Sequence, residues 1–282
     1  MTRLCLTIDD APSVDEPGVS FELSRMDRMR EALEADGWRD CCAFVIGSRA
    51  DPPALERWLQ AGFALGNHSW DHVPATRAGA DAFLDSAGKC DRRLEELGAF
   101  EHHPKWFRFP HLDRGSDADA RSRIQSGLEE LGYELAPASV EVHDHLFDPR
   151  FEGARDADEA QAVLNRYLSV ARRSLDAEIQ ARKRNQVSAP SIAYVHFGPV
   201  SQAAFPRLLG LLRDLGFVEA SLGEALGDPF YRAMLRDFEW NGLVKAQARA
   251  GLARRVLRRA NKLGLRAGLF DQGRLGDLWP YL

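Results

Sequence analysis

The chain has 282 residues, 37 Lys and Arg against 42 Asp and Glu for a net charge of −5, and is 45% hydrophobic and 28% charged. That balance excludes a disordered or fibrous chain, and its mild acidity argues against a general nucleic-acid binder. The length suits two small domains or one α/β barrel of about 250 residues, and a core of that size needs no disulfide staples.

Met1-Thr2-Arg3 leads at once into Leu4–Ile8, which predicts a first strand, and then into Asp9-Asp10. This start is too short and too soon acidic for a signal peptide, so a cytoplasmic protein is expected. A helix follows near Ser24–Asp36. Cys42–Ile46 predicts a second strand, and Pro53–Ala61 a short helix with proline in its first turn. Phe63–Leu65 predicts a third strand, then a helix over Ala80–Leu97 closed by Gly98. Trp106–Phe109 predicts a fourth, with a helix over Asp117–Leu131 closed by Gly132. A fifth strand falls within Tyr133–Val142, ahead of a long helix over Asp158–Lys183. Ile192–Val195 predicts a sixth, followed by a helix over Gln202–Leu215 and a weak seventh strand at Phe217-Val218. Such alternation predicts parallel pairing, and the lack of a Gly-rich phosphate loop after the first strand favours a barrel over a doubly wound sheet.

Cys5, Cys41, Cys42 and Cys90 include no Cys-x-x-Cys pair. The first three lie in apolar runs, where cysteine behaves as a small buried hydrophobe. No stretch approaches the roughly 20 apolar residues of a membrane span. After Asp228-Pro229 the character changes. Residues 230–282 hold 11 Lys and Arg against 4 Asp and Glu, a charge of +7, which leaves −12 for the first 229. The predicted organisation is therefore a barrel over 1–229 and a basic helical extension over 230–282. Within the extension, Leu243–Leu265 has helical spacing, with Arg254, Arg255, Arg258, Arg259 and Lys262 interleaved. A basic amphipathic helix packs on its own acidic domain or, as a lesser expectation, meets an anionic surface or partner through 243–266.

Ionisable residues fall at the ends of the predicted strands: Asp9 and Asp10 after the first, His68 and His72 after the third, Arg108 in the fourth, Asp144 past the fifth, His196 after the sixth. In a barrel of parallel strands these ends share one rim, where active sites are built. His68 and His72, four apart, lie within reach of one metal ion, and a carboxylate such as Asp10 completes a two-His-one-carboxylate set with open positions. Two surface histidines would satisfy His-x-x-x-His equally well. Likewise, Asp9-Asp10 would serve as a loop cap, Arg108 as a structural ion pair and His196 as a core histidine.

Thr7-Ile8-Asp9-Asp10-Ala11-Pro12 resembles the Thr-Phe-Asp-Asp-Gly-Pro motif of polysaccharide deacetylases, the NodB-homology domain of carbohydrate esterase family four. His68-Ser-Trp-Asp-His72 resembles their His-Ser/Thr-x-x-His, Arg108-Phe-Pro110 their Arg-x-Pro, and Tyr194-Val-His196 their Leu-x-His. Glu141-Val-His-Asp144-His145 resembles a drifted Asp-x-x-Asp-Trp. The resemblance implies a deformed (β/α)7-type barrel of the glycoside hydrolase/deacetylase kind and a metal-dependent amide hydrolase. It implies that Asp10, His68 and His72 hold a divalent ion, zinc first and cobalt or another ion as alternatives. It further implies Asp9 as general base oriented by Arg108, and an oxyanion donor at the N–H near His111. His196 would be the acid, with its pKa raised by Asp144; Glu141 and Asp148 compete with Asp144 for that partnership.

Ala11 replaces the motif glycine, so positive φ is not expected there. His111 follows Pro110 where the family often has an aromatic, and His145 takes the place of the groove's tryptophan. Such changes leave the chemistry and alter the substrate-facing shell of Pro110, His111 and His145. The expected substrate is therefore an intracellular N-acylated sugar rather than chitin or peptidoglycan. A non-sugar amide (a cyclic imide or ureide) and a non-catalytic glycan-binding relative are the alternatives. The remaining histidines, His102, His103 and His143, read as exposed loop residues, and Trp70 and Trp106 as packing.

Overall fold

The computed structural model describes residues 2–12 and 25–236. The predicted basic helix at 243–265 lies outside the described residues. Eight strands form one parallel sheet: β1 (Thr2–Ala11), β2 (Cys41–Val45), β3 (Ala64–Asn67), β4 (Trp106–Phe107), β5 (Glu134–Leu135), β6 (Val140–Glu141), β7 (Ser191–His196) and β8 (Phe217–Glu219). Seven lie in the order β5-β4-β3-β2-β1-β7-β6, and β8 pairs with the start of β1. This is a deformed (β/α)7 barrel. Its central strands are buried on both faces, which is why β1, β2 and β7 read as continuous apolar runs rather than alternating ones.

The helices fall where the 3.6-residue pattern places them, at Arg25–Asp36, Pro52–Gln60, Ala80–Glu96, Ala118–Glu130, Ala157–Asn185 and Pro199–Asp214. Asp117 and Asp156 cap two of them by accepting from Ala120 N–H and Glu159 N–H. Gly98 and Gly132, read as helix stops, have φ of 69° and 83°. All four cysteines are buried, and burial pushes the Cys90 thiol up to about 12.

Two differences from the predicted elements matter for the site. The fifth strand is not one strand: Tyr133–Val142 splits into β5, beside β4, and β6, beside β7, at opposite ends of the sheet order. Residues 136–139 cross between these ends, with Ala136 N–H donating to Phe107 O and Ser139 N–H to Ile192 O. Pro137 in the middle has no N–H for a ladder. Moreover, packing continues just past residue 229. Tyr231, in the helix Pro229–Arg236, is fully buried, donates to Pro190 O and accepts from Arg182, and the compact unit runs to Tyr231.

Candidate active site

Consecutive residues of a regular strand face opposite sides of its sheet, so Asp9 and Asp10 could not both serve one site from an undisturbed β1. The strand is not regular there. Against β2, Ile8 pairs with Ala43 and Ala11 with Val45, so β1 carries one extra residue, a β-bulge. Its positive φ falls on Asp10 (64°), not on Ala11, as expected once alanine replaced the glycine. The bulge lets Asp9 meet Arg108 while Asp10 meets His68 and His72.

Asp10 Oδ1 lies 3.1 Å from His72 Nε2 and 3.5 Å from His68 Nε2. Burial raises its carboxyl, but the two facing imidazoles prevail and hold it well below the usual range. His68 is buried, and its Nδ1 is 2.7 Å from Arg108 O, a carbonyl that only accepts. Nδ1 thereby donates to the backbone while Nε2 faces Asp10, the orientation a metal-ligating histidine adopts. Ligand atoms of Asp10, His68 and His72 lie within 4.8 Å of one another, and the buried Asp10 Oδ1 has no well-formed hydrogen-bond partner. These three residues fit a divalent cation: a hard carboxylate and two imidazoles, with one orphaned acceptor between them.

Asp9 is buried, and both its oxygens stand 3.4 Å from Arg108 Nη1. Arg108 is fully buried. Its Nε donates to Ala136 O at 2.5 Å and its Nη2 to Thr7 Oγ1 at 3.2 Å and Pro137 O at 3.5 Å, and the guanidinium lies 4.6 Å over the Phe44 ring. It therefore ties the 136–139 crossing to β1, as the structural reading of this arginine expects. Gly66 makes room for this: a Cβ there would sit 2.5 Å from the Phe44 ring. Arg108→Leu leaves Asp9 buried without its cation, and we expect a loss of about 3–5 kcal/mol in denaturant unfolding.

The register of β1 against β7 pairs Asp9 with His196. His196 Nδ1 lies 2.9 Å from Asp144 Oδ1, while Asp144 Oδ2 accepts from His196 N–H at 2.6 Å and from Ser201 Oγ. Burial pulls the His196 pKa down, but Asp144 prevails and raises it. Conversely, burial raises Asp144, and His196 brings it below its usual value. Of the three acids considered for this role, Asp144 takes it. Asp148 instead accepts from Val200 N–H, and Glu141 faces His143 and His145 at 3.5 and 3.7 Å.

His111 has φ of 55° and its ring is 4.6 Å from that of His72. The His145 ring stands edge-on to His196 at 4.9 Å, and His143, read as an exposed loop residue, is half-buried at the same rim. Trp106 is buried packing, as expected. Among the described residues, every non-glycine positive φ except that of Gln186 belongs here: Asp10, Ser69, His72, His111, Leu112 and His143. Backbone strain of about 1–3 kcal/mol per residue collects at functional sites.

Residues 2–136 match the family model for polysaccharide deacetylase. Similar solved structures include a family 4 carbohydrate esterase from Streptomyces lividans in complex with acetate (19% identity, 79% of this chain and 95% of that one, TM-score 0.52). A chitin deacetylase from the fungal pathogen Colletotrichum lindemuthianum is similar as well (19%, 80% and 87%, TM-score 0.56). So is a family 4 pseudoenzyme from Bacillus anthracis (17%, 80% and 65%, TM-score 0.54). At these identities the likeness to solved structures is one of fold. No curated protein matches the chain. Among the described residues no helix is long and apolar enough to cross a membrane.

Proposed function

We propose, from the match of residues 2–136 to the polysaccharide deacetylase model, that the chain is a metal-dependent N-deacetylase acting on an N-acylated, amino-sugar-type substrate. The observation that carries this reading is the convergence of Asp10, His68 and His72 beside the Asp9–Arg108 and Asp144–His196 pairs. A divalent ion held by Asp10, His68 and His72, zinc in the first instance, supplies Lewis acidity that polarises the amide carbonyl and lowers the pKa of water to about 7.

The chain's own groups do the rest. Asp9 takes a proton from the attacking water as its oxygen bonds to the carbonyl carbon, and Arg108 orients that carboxylate. The N–H of His111 meets the oxyanion. His196 then gives its proton to the amide nitrogen as the C–N bond breaks, releasing acetate and the free amine. Asp144 keeps His196 in the acid form that this step needs. At the rim, the polar group of Glu141, His143 and His145 stands beside the acid where the family carries a tryptophan. This favours a substrate other than chitin or peptidoglycan, including a non-sugar amide.

Acetate release from a panel of N-acetyl sugars and small amides, with bound metal quantified, tests the proposal. We expect about one equivalent of divalent metal and turnover that a chelator stops and added metal restores. Chelator-insensitive turnover would reject the metallohydrolase. Bound metal without turnover on any amide would favour the non-catalytic reading.

A further inference from the structure

Asn67 is the last residue of β3 and is fully buried. Its amide orientation is set by its neighbours. The Ser69 N–H can only donate, and lies 2.8 Å from Asn67 Oδ1; Ala87 O can only accept, and lies 2.9 Å from Nδ2. The second Nδ2 proton goes to Tyr133 Oη at 3.0 Å. Because that oxygen is accepting, the tyrosine's own proton goes to Asp91 Oδ1 at 2.6 Å, which also accepts from Lys105 Nζ at 2.9 Å. At the other end, Ser69 holds φ of 65° and its Oγ accepts from His72 N–H at 3.1 Å. An unbroken chain of hydrogen bonds thus runs from Lys105 through Asp91, Tyr133, Asn67 and Ser69 to the backbone of His72. It joins the helix Ala80–Glu96 to the loop that carries both imidazoles.

We propose that Asn67 and Tyr133 are positioning residues that set the affinity of the site for its metal, by holding Ser69 in the left-handed conformation that turns His72 toward Asp10 and His68. This rests on the reading of Asp10, His68 and His72 as ligands. Of the three residues between His68 and His72, Ser69 lies outside a helix's φ range, and so does His72 itself. Helical spacing therefore does not bring the imidazoles together. The kink does, and a non-glycine residue keeps positive φ only when its surroundings over-determine it. Asn67 Oδ1 and the N–H of Gly47, which donates to Ser69 O at 3.0 Å, are those surroundings. Removing Asn67 Oδ1 leaves Ser69 N–H buried without a partner and the kink unsupported.

The test is Zn2+ affinity of the full chain, by competition with a chromophoric chelator, alongside the melting temperature of the metal-free protein. Asn67→Ala is expected to weaken binding by about 10–100-fold, the usual effect of losing an outer-shell contact. Tyr133→Phe keeps the ring and removes one link, and should weaken binding by about 2–10-fold while the chain stays folded. Leu175→Ala, a core truncation on the helix Ala157–Asn185 and outside this chain of bonds, lowers the melting temperature and should leave the affinity unchanged. Unaltered affinity in both Asn67→Ala and Tyr133→Phe, or an equal loss in Leu175→Ala, would overturn the positioning role alone. An unsubstituted protein that binds no Zn2+ would overturn this role together with the ligand assignment beneath it.

Discussion

Asp9→Asn is expected to lower kcat by about 10²–10⁴-fold while the protein keeps its full complement of metal. The carboxamide has nearly the shape of the carboxylate, and its oxygen still accepts from Arg108 Nη1, so the bulge of β1 should persist. What it loses is the capacity to take a proton from water. Because Asp10 and not Asp9 faces the imidazoles, metal content should not follow activity. Some stability is lost, since a fully buried guanidinium then lacks a full counter-charge, although Ala136 O, Pro137 O and Thr7 Oγ1 still receive its protons. Steady-state kinetics with metal analysis on the same preparation decide the matter. Retained turnover would remove Asp9 from the role of base. Parallel loss of metal and turnover would make it a support of the metal loop instead.

The second large effect concerns the acid. Replacing Asp144 with Asn should move the alkaline limb of the kcat profile to lower pH and reduce kcat at pH 8 by about 10²-fold or more. Burial disfavours the His196 imidazolium, and Asp144 more than compensates, so its folded pKa stands above the ordinary value of about 6.5. With Asn the largest raising influence is lost and only Asp10 and Asp9 still oppose burial, so the pKa falls and a smaller share of the group has a proton to give at pH 8. Stability follows the same sign. A raised histidine pKa contributes stability that is fully present below about 6.5 and is lost as pH rises through the folded value. The depressed Asp144 pKa contributes stability present above about 3.9 and lost as pH falls through its folded value. The pair therefore stabilises the neutral window, and the alkaline fall in melting temperature should flatten in Asp144→Asn. An unmoved alkaline limb would mean that another group supplies the proton.

Much of the site was legible because strand ends in a parallel barrel share a rim. Asp9, Asp10, His68, His72, Arg108 and His196 could be placed together once the apolar runs before them were read as strands. Their local roles were harder. Nothing in Leu4–Ala11 shows that the strand carries an extra residue, since a bulge is defined by the register of its partner. Nor does Tyr133–Val142 show that it changes partners midway. That break is held by Arg108, some thirty residues earlier, through the carbonyls of 136 and 137. Asn67 gave no signal at all: a polar residue ending an apolar strand looks like the start of any loop until its three partners are seen.

By itself, then, the sequence determined the elements, their parallel arrangement and the set of groups delivered to the rim, because periodicity, capping and strand-end position are local properties of the chain. The resemblance implied which carboxylate meets which partner, and only the tertiary structure supplies the physical pairing. Asp10 goes to His68 and His72, Asp9 to Arg108, and Asp144 rather than Glu141 or Asp148 to His196. Those pairings depend on registers between strands far apart in sequence, and on a one-residue bulge that turns two neighbouring carboxylates toward a single site.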